Sequence, residues 1–356
     1  MTKTKRRIVI ISSSILGGLV SLYVFGGIAA AFIVSKSLLS KRQSLASDLD
    51  GIRLTKTQKN YPLLQDRELV RFASDGDELQ GYLYKNDNPK GLVVAAHGIT
   101  SQADDSHASY QNFFLENGYS VFSFDMVASG RSSGEDAKGL HQSALNVRDC
   151  LSYIHSNDEI KDLPIFMIGH SWGGYGVSAA LNFDQTPKAV VSLSGYDMPK
   201  EEIFEFAKSH AGNIAYAGKW QIDFAQDCMS KYSSMRAVTG INKATETRFL
   251  SVQGSDDPTV SYEASIYSKF DEITNNHAQR IFLEGYAHKY VWYSKDSYEY
   301  ITNELEPAYD RLKEHYSGNI PDDIKKEFMK SINYEKSSQL NLDLFNSILS
   351  MFEESI

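Results

Sequence analysis

Eight short apolar and β-branched runs constrain this chain more than any other feature. They lie at 68–73, 78–85, 91–96, 120–126, 165–168, 189–193, 248–253 and 280–284. Several carry apolar residues in succession rather than at alternate positions, the pattern of strands covered on both faces. The stretches 106–117, 140–155 and 172–182 between them have helical character. Such alternation predicts a mostly parallel eight-stranded sheet with helices on both faces and right-handed crossovers. The first two runs differ from the rest. They flank Ser74-Asp75-Gly76-Asp77, and Asp-Gly is a strong hairpin turn.

Two segments interrupt the alternation. Residues 196–247 are too long for a loop and carry helical apolar groups, including Ile203, Phe204, Trp220 and Phe224. Inserted there, they would lie over the carboxyl ends of the strands as a lid. Residues 290–340 form a second helical insertion, rich in Tyr and Glu. A last helix at 343–353 presents Leu344, Phe345, Ile348, Leu349 and Phe352 on one face.

The N-terminus is of another kind. Residues 8–35 contain no charged side chain, and as a helix would span about 42 Å, against a hydrocarbon core of about 30 Å. Lys3, Lys5, Arg6 and Arg7 precede the run; Lys36, Lys41 and Arg42 follow it. That bias places the N-terminus inside. A cleaved signal peptide ending near Ala29-Ala30-Ala31 is the rival, but the apolar run continues past it through Phe32, Ile33 and Val34. The domain plan adopted is a basic tail at 1–7, a single transmembrane anchor at 8–35, a juxtamembrane stalk at 36–66 and one large domain at 67–356. The large domain is expected on the outer face of the membrane.

A net charge of −9, with no Lys/Arg cluster beyond the first residues, argues against nucleic acid as a partner. The two cysteines, Cys150 and Cys228, stand in no metal-ligand or disulfide pattern. His97, Asp104, Asp105 and His107 lack zinc-ligand spacing, so no metal is expected.

Gly169-His170-Ser171-Trp172-Gly173 is common enough by chance to mean little alone. Its context gives it weight. Strand 165–168 leads into it and a small-residue helix leads out, so Ser171 would sit on a strained turn with its hydroxyl exposed. Gly169 and Gly173 would be required where a Cβ meets crowded backbone. Upstream, a strand ends in His97-Gly98-Ile99-Thr100, and the N–H groups of Ile99 and Trp172 are candidates for holding an oxyanion. The His97 side chain reads as a turn histidine. Downstream, Asp256 and Asp257 follow a strand, where a carboxylate could orient an imidazole. Asp257 is the choice, and Asp256 reads as a helix cap. His288 follows the next strand and completes the order Ser, Asp, His. His277 precedes that strand and should point to the other end of the sheet. Tyr286, Tyr290, Trp292 and Tyr293 form either an aromatic substrate wall or lid-to-core packing.

These pieces, together with Asp125 and Gly130-Arg131-Ser132-Ser133-Gly134, resemble the α/β-hydrolase superfamily, and within it the serine aminopeptidase S33 and monoglyceride-lipase-like group. The resemblance spans about residues 68–290. It implies acyl or peptidyl hydrolysis through an acyl-enzyme, without a cofactor. The chain departs from the proline-releasing peptidases of that group, since His-Gly-Ile-Thr replaces their His-Gly-Gly-Pro-Gly. Ser171 argues against the dehalogenases and epoxide hydrolases of the fold, whose nucleophile is aspartate. The expected function is hydrolysis of lipid or small carboxylic esters at the membrane's outer face. A peptidase or amidase is the first alternative, and a non-catalytic surface binding protein on the same fold is the second.

Overall fold

A computed structural model describes residues 3–39, 51–99, 101–103 and 107–356. Thr100 of the expected oxyanion loop, Asp104, Asp105, Ser106 and residues 40–50 of the expected stalk lie outside them.

The eight strands are β1 (Glu68–Ser74), β2 (Asp77–Tyr84), β3 (Leu92–Ala96), β4 (Ser120–Phe124), β5 (Ile165–His170), β6 (Ala189–Leu193), β7 (Arg248–Gly254) and β8 (Ala278–Leu283). They form one sheet in the order β1-β2-β4-β3-β5-β6-β7-β8. The pairs β1–β2 and β2–β4 are antiparallel, and the remaining pairs are parallel. Strands β3 to β6 are buried along their whole length, as continuous apolar runs require. The β1–β2 turn has φ 48° at Asp75 and φ 85° at Gly76. Positive φ at both central residues is what a two-residue hairpin of this type demands.

Helices cover both faces. On one lie α3 (Ala108–Glu116) and the last helix, α13 (Leu342–Glu353), where Phe166 stacks on Phe352 at 4.5 Å between ring centroids. On the other lie α4 (Gln142–Ser156) and α5 (Trp172–Ala179), with Leu151, Cys150 and Tyr175 fully buried. Each large side chain buried in this way contributes roughly 1.5–3 kcal/mol.

Of the segment expected to be a lid, α6 (Pro199–Ala211) and α7 (Ala215–Met229) form a helical hairpin, whereas α8 (Ala237–Lys243) departs from that expectation and joins the core covering the sheet beside α5, with Ala237 and Ile241 fully buried. The second insertion contains α9 (Lys295–Glu299), a π-helical turn (Tyr300–Leu305), α10 (Glu306–His315), α11 (Asp322–Ser331) and α12 (Tyr334–Ser337). The N-terminal helix runs as α1 (Lys3–Ser21), a π-helical turn (Leu22–Gly26) and α2 (Gly27–Leu39). Ser14–Lys36 of it is long and apolar enough to cross a membrane, as an anchor or a signal sequence would be.

Residues 51–66 fall within the span read as a stalk, but they lie against the domain. Ile52, Leu54 and Leu64 are buried in the same core as α3 and α13. The Lys56 N–H donates to Ser338 Oγ (2.8 Å), and Tyr334 donates to the Arg53 carbonyl (2.9 Å). Scattered apolar residues among polar ones gave no periodic signal from which this docking could be read.

Candidate active site

Strand β5 delivers Ser171 to the carboxyl edge of the sheet, and α5 begins at the next residue. Ser171 has φ 55° and ψ −116°, a conformation that costs of order 1–3 kcal/mol in a non-glycine residue. Two backbone bonds hold it there, Ser171 N–H to Leu193 (2.8 Å) and Tyr175 N–H to the Ser171 carbonyl (2.9 Å). The flanking glycines have no room for a side chain. A Cβ on Gly169 would collide with the Gly173 carbonyl, and one on Gly173 would collide with the carbonyls of Ala96 and His97.

Asp257 and His288 meet beyond the ends of β7 and β8. Asp257 Oδ2 lies 2.8 Å from His288 Nδ1 and accepts from Gln253 Nε2 (3.0 Å). Its other oxygen, Oδ1, accepts the N–H groups of Thr259 and Val260, both at 2.9 Å. An acceptor-only carboxylate opposite Nδ1 places the ring proton there and leaves Nε2 with a free lone pair. The Asp257 side chain is 2% exposed. Asp256 is exposed, and its carboxylate accepts from Ser255 Oγ (2.7 Å). It does not cap a helix as expected: turns follow it as far as a 3₁₀ segment at Tyr267–Glu272. His277 sits at the opposite, amino end of β8.

His170 links the two halves. Its Nε2 is 2.9 Å from the His288 carbonyl, and the two rings are 4.8 Å apart. A carbonyl only accepts, so the proton is on Nε2. Burial, reinforced by the neighbouring His288, lowers the His170 pKa to about 3 and keeps the ring neutral. Gly98 also abuts this corner. A Cβ on it would lie 3.4 Å from His170 Nδ1 and 3.6 Å from Ser171 Cβ. Ala96 and Gly169 are partners in the β3–β5 ladder, so Ile99 and Trp172 each stand three residues past the same rung. Trp172 is the first residue of α5, where helix N–H groups lack intrahelical acceptors. Its indole donates to the Leu140 carbonyl (2.8 Å).

The buried His97 ring is structural, as its sequence context suggests. Its Nε2 accepts the Met126 N–H (2.9 Å), tying the end of β3 to the end of β4. Asp125 proves to organise the neighbouring loops. It accepts from Tyr82 (2.7 Å) and the Arg131 N–H (2.9 Å) on Oδ2, and from the Ala103 N–H (3.0 Å) on Oδ1. Gln253 was missed, although a polar residue closing an apolar strand and 2% exposed is a visible irregularity.

The aromatic cluster divides. Trp292 lies beside the site, its ring 5.0 Å from that of His170. Tyr286 instead packs on Tyr298 at 4.5 Å and donates to the Tyr293 carbonyl (3.1 Å). It lines an outer cleft of about 870 Å³ with Tyr61, Phe113 and Leu340, whose lining includes neither Ser171 nor His288. Tyr290 donates to Glu306 (3.3 Å). The Ser171 and His288 residues are only 9% and 8% exposed, so little of either is open to solvent. On the lid, the first turn of α6 carries Glu202, whose carboxyl is pushed well up by burial, with Asp257 adding to the effect.

Residues 87–210 match the family described as serine aminopeptidase, S33. A caffeoylshikimate esterase of Arabidopsis thaliana is 28% identical over 116 residues, which are 32% of this chain and 35% of that protein. The chain therefore matches little more than a third of that relative's length. Among solved structures, an esterase of Pyrococcus furiosus is similar with a TM-score of 0.54 at 17% identity, covering 80% of this chain and 99% of that one. This last likeness is one of fold.

Proposed function

We propose that this chain, an α/β hydrolase whose residues 87–210 match the serine aminopeptidase S33 family, cleaves carboxylic esters through an acyl-enzyme on Ser171. The observation that carries this reading is the Asp257–His288 pair, held at 2.8 Å and fastened through His170 to the turn that bears the serine. In the first half-reaction His288 Nε2 takes the Ser171 proton as Oγ attacks the carbonyl, and Asp257 stabilises the imidazolium. The N–H groups of Ile99 and Trp172 take the oxyanion. His288 then protonates the leaving alcohol. In the second half-reaction water replaces the alcohol, and the acid is released as Ser171 recovers its proton.

The partial match to a caffeoylshikimate esterase favours ester over amide. The apolar helix at Ser14–Lys36 supports a membrane anchor, and the basic residues Lys3, Lys5, Arg6 and Arg7 before it favour a catalytic domain outside. Trp292, against the His170 ring, would touch the acyl group in this reading. The test is fluorophosphonate labelling of the full-length chain, with parallel turnover of p-nitrophenyl esters and aminoacyl anilides. Labelling at Ser171 with ester turnover supports the proposal. Anilide turnover alone would make the protein a peptidase, and absence of labelling would make it a binding protein.

A further inference from the structure

The apolar N-terminal helix has two different surroundings along its length. By composition it continues as one apolar segment to Lys36. By packing it changes at the π-helical turn. Beyond that turn, Ala31 and Ser35 are 6% and 1% exposed, covered by the lid helix α7. Gln226 Nε2 donates to Ser35 Oγ (2.7 Å), and Gln221 Nε2 to the Tyr23 carbonyl (3.3 Å). A Cβ on Gly27 would lie 2.9 Å from Gln221 Nε2. Small residues at 27, 31 and 35, one turn apart, allow this close approach. The two helices run in the same direction, with Ala217 and Trp220 at Tyr23 and Gln226 at Ser35.

This register bears on membrane depth. Tyr23 and Ser35 are separated by about 18 Å of helix. Were all of 8–35 in hydrocarbon, α7 would be drawn in beside it, with Lys219, Asp223 and Asp227. Charged groups at that depth are strongly disfavoured. The tip of the α6–α7 hairpin is different: residues 209–218 carry no Asp, Glu, Lys or Arg. Ile214 and Tyr216 there are 79% and 55% exposed, and Trp220 just beyond is 43% exposed. They continue the apolar surface of Leu22, Tyr23 and Phe25. The Trp220 indole donates to the Tyr23 hydroxyl (3.1 Å), and the two rings lie 6.2 Å apart. Aromatic rings with one polar end favour a membrane–water boundary.

We infer that the outer boundary of the bilayer lies at Tyr23, Tyr216 and Trp220. Residues 8–25 cross the bilayer, spanning about 27 Å. Residues 27–39 stand outside as a strut against α7, and the lid tip rests in the outer leaflet through Ile214. The partner of this exposed apolar face is the lipid bilayer, and the substrate class it favours is a long-chain ester held in that bilayer. The inference rests on the reading of the chain as a membrane-anchored hydrolase.

Full-length protein in phosphatidylcholine nanodiscs tests it. In a Cys228→Ser background, a fluorophore is attached at Ile214→Cys, Ile33→Cys or Ser156→Cys. Brominated phosphatidylcholine is expected to quench the label at 214 and to spare those at 33 and 156. A label at 214 as unquenched as that at 156, or one at 33 quenched as strongly as that at 214, overturns the boundary. Release of the chain by alkaline carbonate would instead defeat the anchor reading, and absence of fluorophosphonate labelling in the same sample would defeat the hydrolase reading. Ile214→Asp is expected to lower turnover of a long-chain ester in vesicles about tenfold while leaving a soluble short-chain ester within about twofold. Equal turnover changes on both substrates overturn the substrate class.

Discussion

The floor of the site and the lid above it are built on opposite principles. On the floor, Asp257 has all its hydrogen bonds within the loop and strand that carry it and the ring it orients. The Ser171 turn is locked by backbone bonds to β6 and α5. On the lid, Glu202 Oε2 and Gln221 Oε1 are buried without a hydrogen-bond partner, and α7 is secured sideways to α2. Buried polar atoms that lack partners are costly, and the surround of the site has its own at Ser194 Oγ and Trp292 Nε1, so what sets the floor apart is the full bonding of Asp257 and of the Ser171 backbone. The contrast teaches that the acid and the nucleophile's backbone are fixed within the carboxyl edge of the sheet, while the cover is tied instead to the N-terminal helix.

Substitutions can break this contrast at several strengths. Ser171→Ala should reduce kcat by roughly 10⁶-fold with an unchanged melting temperature, measured by ester turnover and thermal unfolding. Asp257→Asn should cost about 10⁴-fold in kcat by reversing the tautomer that His288 needs, whereas Asp256→Asn should stay near wild type. Similar losses from both would mean that the neighbouring carboxylate shares the task.

Acid should weaken the floor. Burial lowers the pKa of His170 to about 3 and that of His141, the buried residue just before α4, to about 4. Between those values and the unfolded value near 6.5, the unfolded chain binds more protons. Stability from these rings is therefore complete above about pH 6.5 and is lost as pH falls toward the folded values. Thermal melts from pH 7 to pH 4 should show it, and His141→Gln should flatten part of the slope. Gly173→Ala should cost roughly 1–3 kcal/mol from its collision with β3, read as a shifted denaturant midpoint. The smallest effect is expected from Gln226→Ala, about 1 kcal/mol, with kcat on a soluble ester unchanged.

What was legible in the sequence follows from the range of each signal. The strands, the elbow and the order of Ser171, Asp257 and His288 are local patterns, and their places in the sheet follow from fold rules. In the sequence only its spacing, three residues after Gly254, favours Asp257 over Asp256. The structure separates them because only Asp257 is turned inward, onto Thr259, Val260 and His288. Tyr286 and Trp292, six residues apart, received the same two readings, yet one packs away from the site and the other against it. The docking of 51–66 on α12, and of Tyr23 on Trp220, joins residues about two hundred or more positions apart. No periodicity within either segment encodes such a meeting.

The bond from His170 to the His288 carbonyl has a mechanical consequence. The residue before the serine grips the residue that supplies the base, so the end of β5 and the loop after β8 are tied together at that point. A displacement of either segment is passed to the other through that bond, which couples the nucleophile and its base in position. Because the linking ring stays uncharged across the neutral range, that coupling does not alter with pH there.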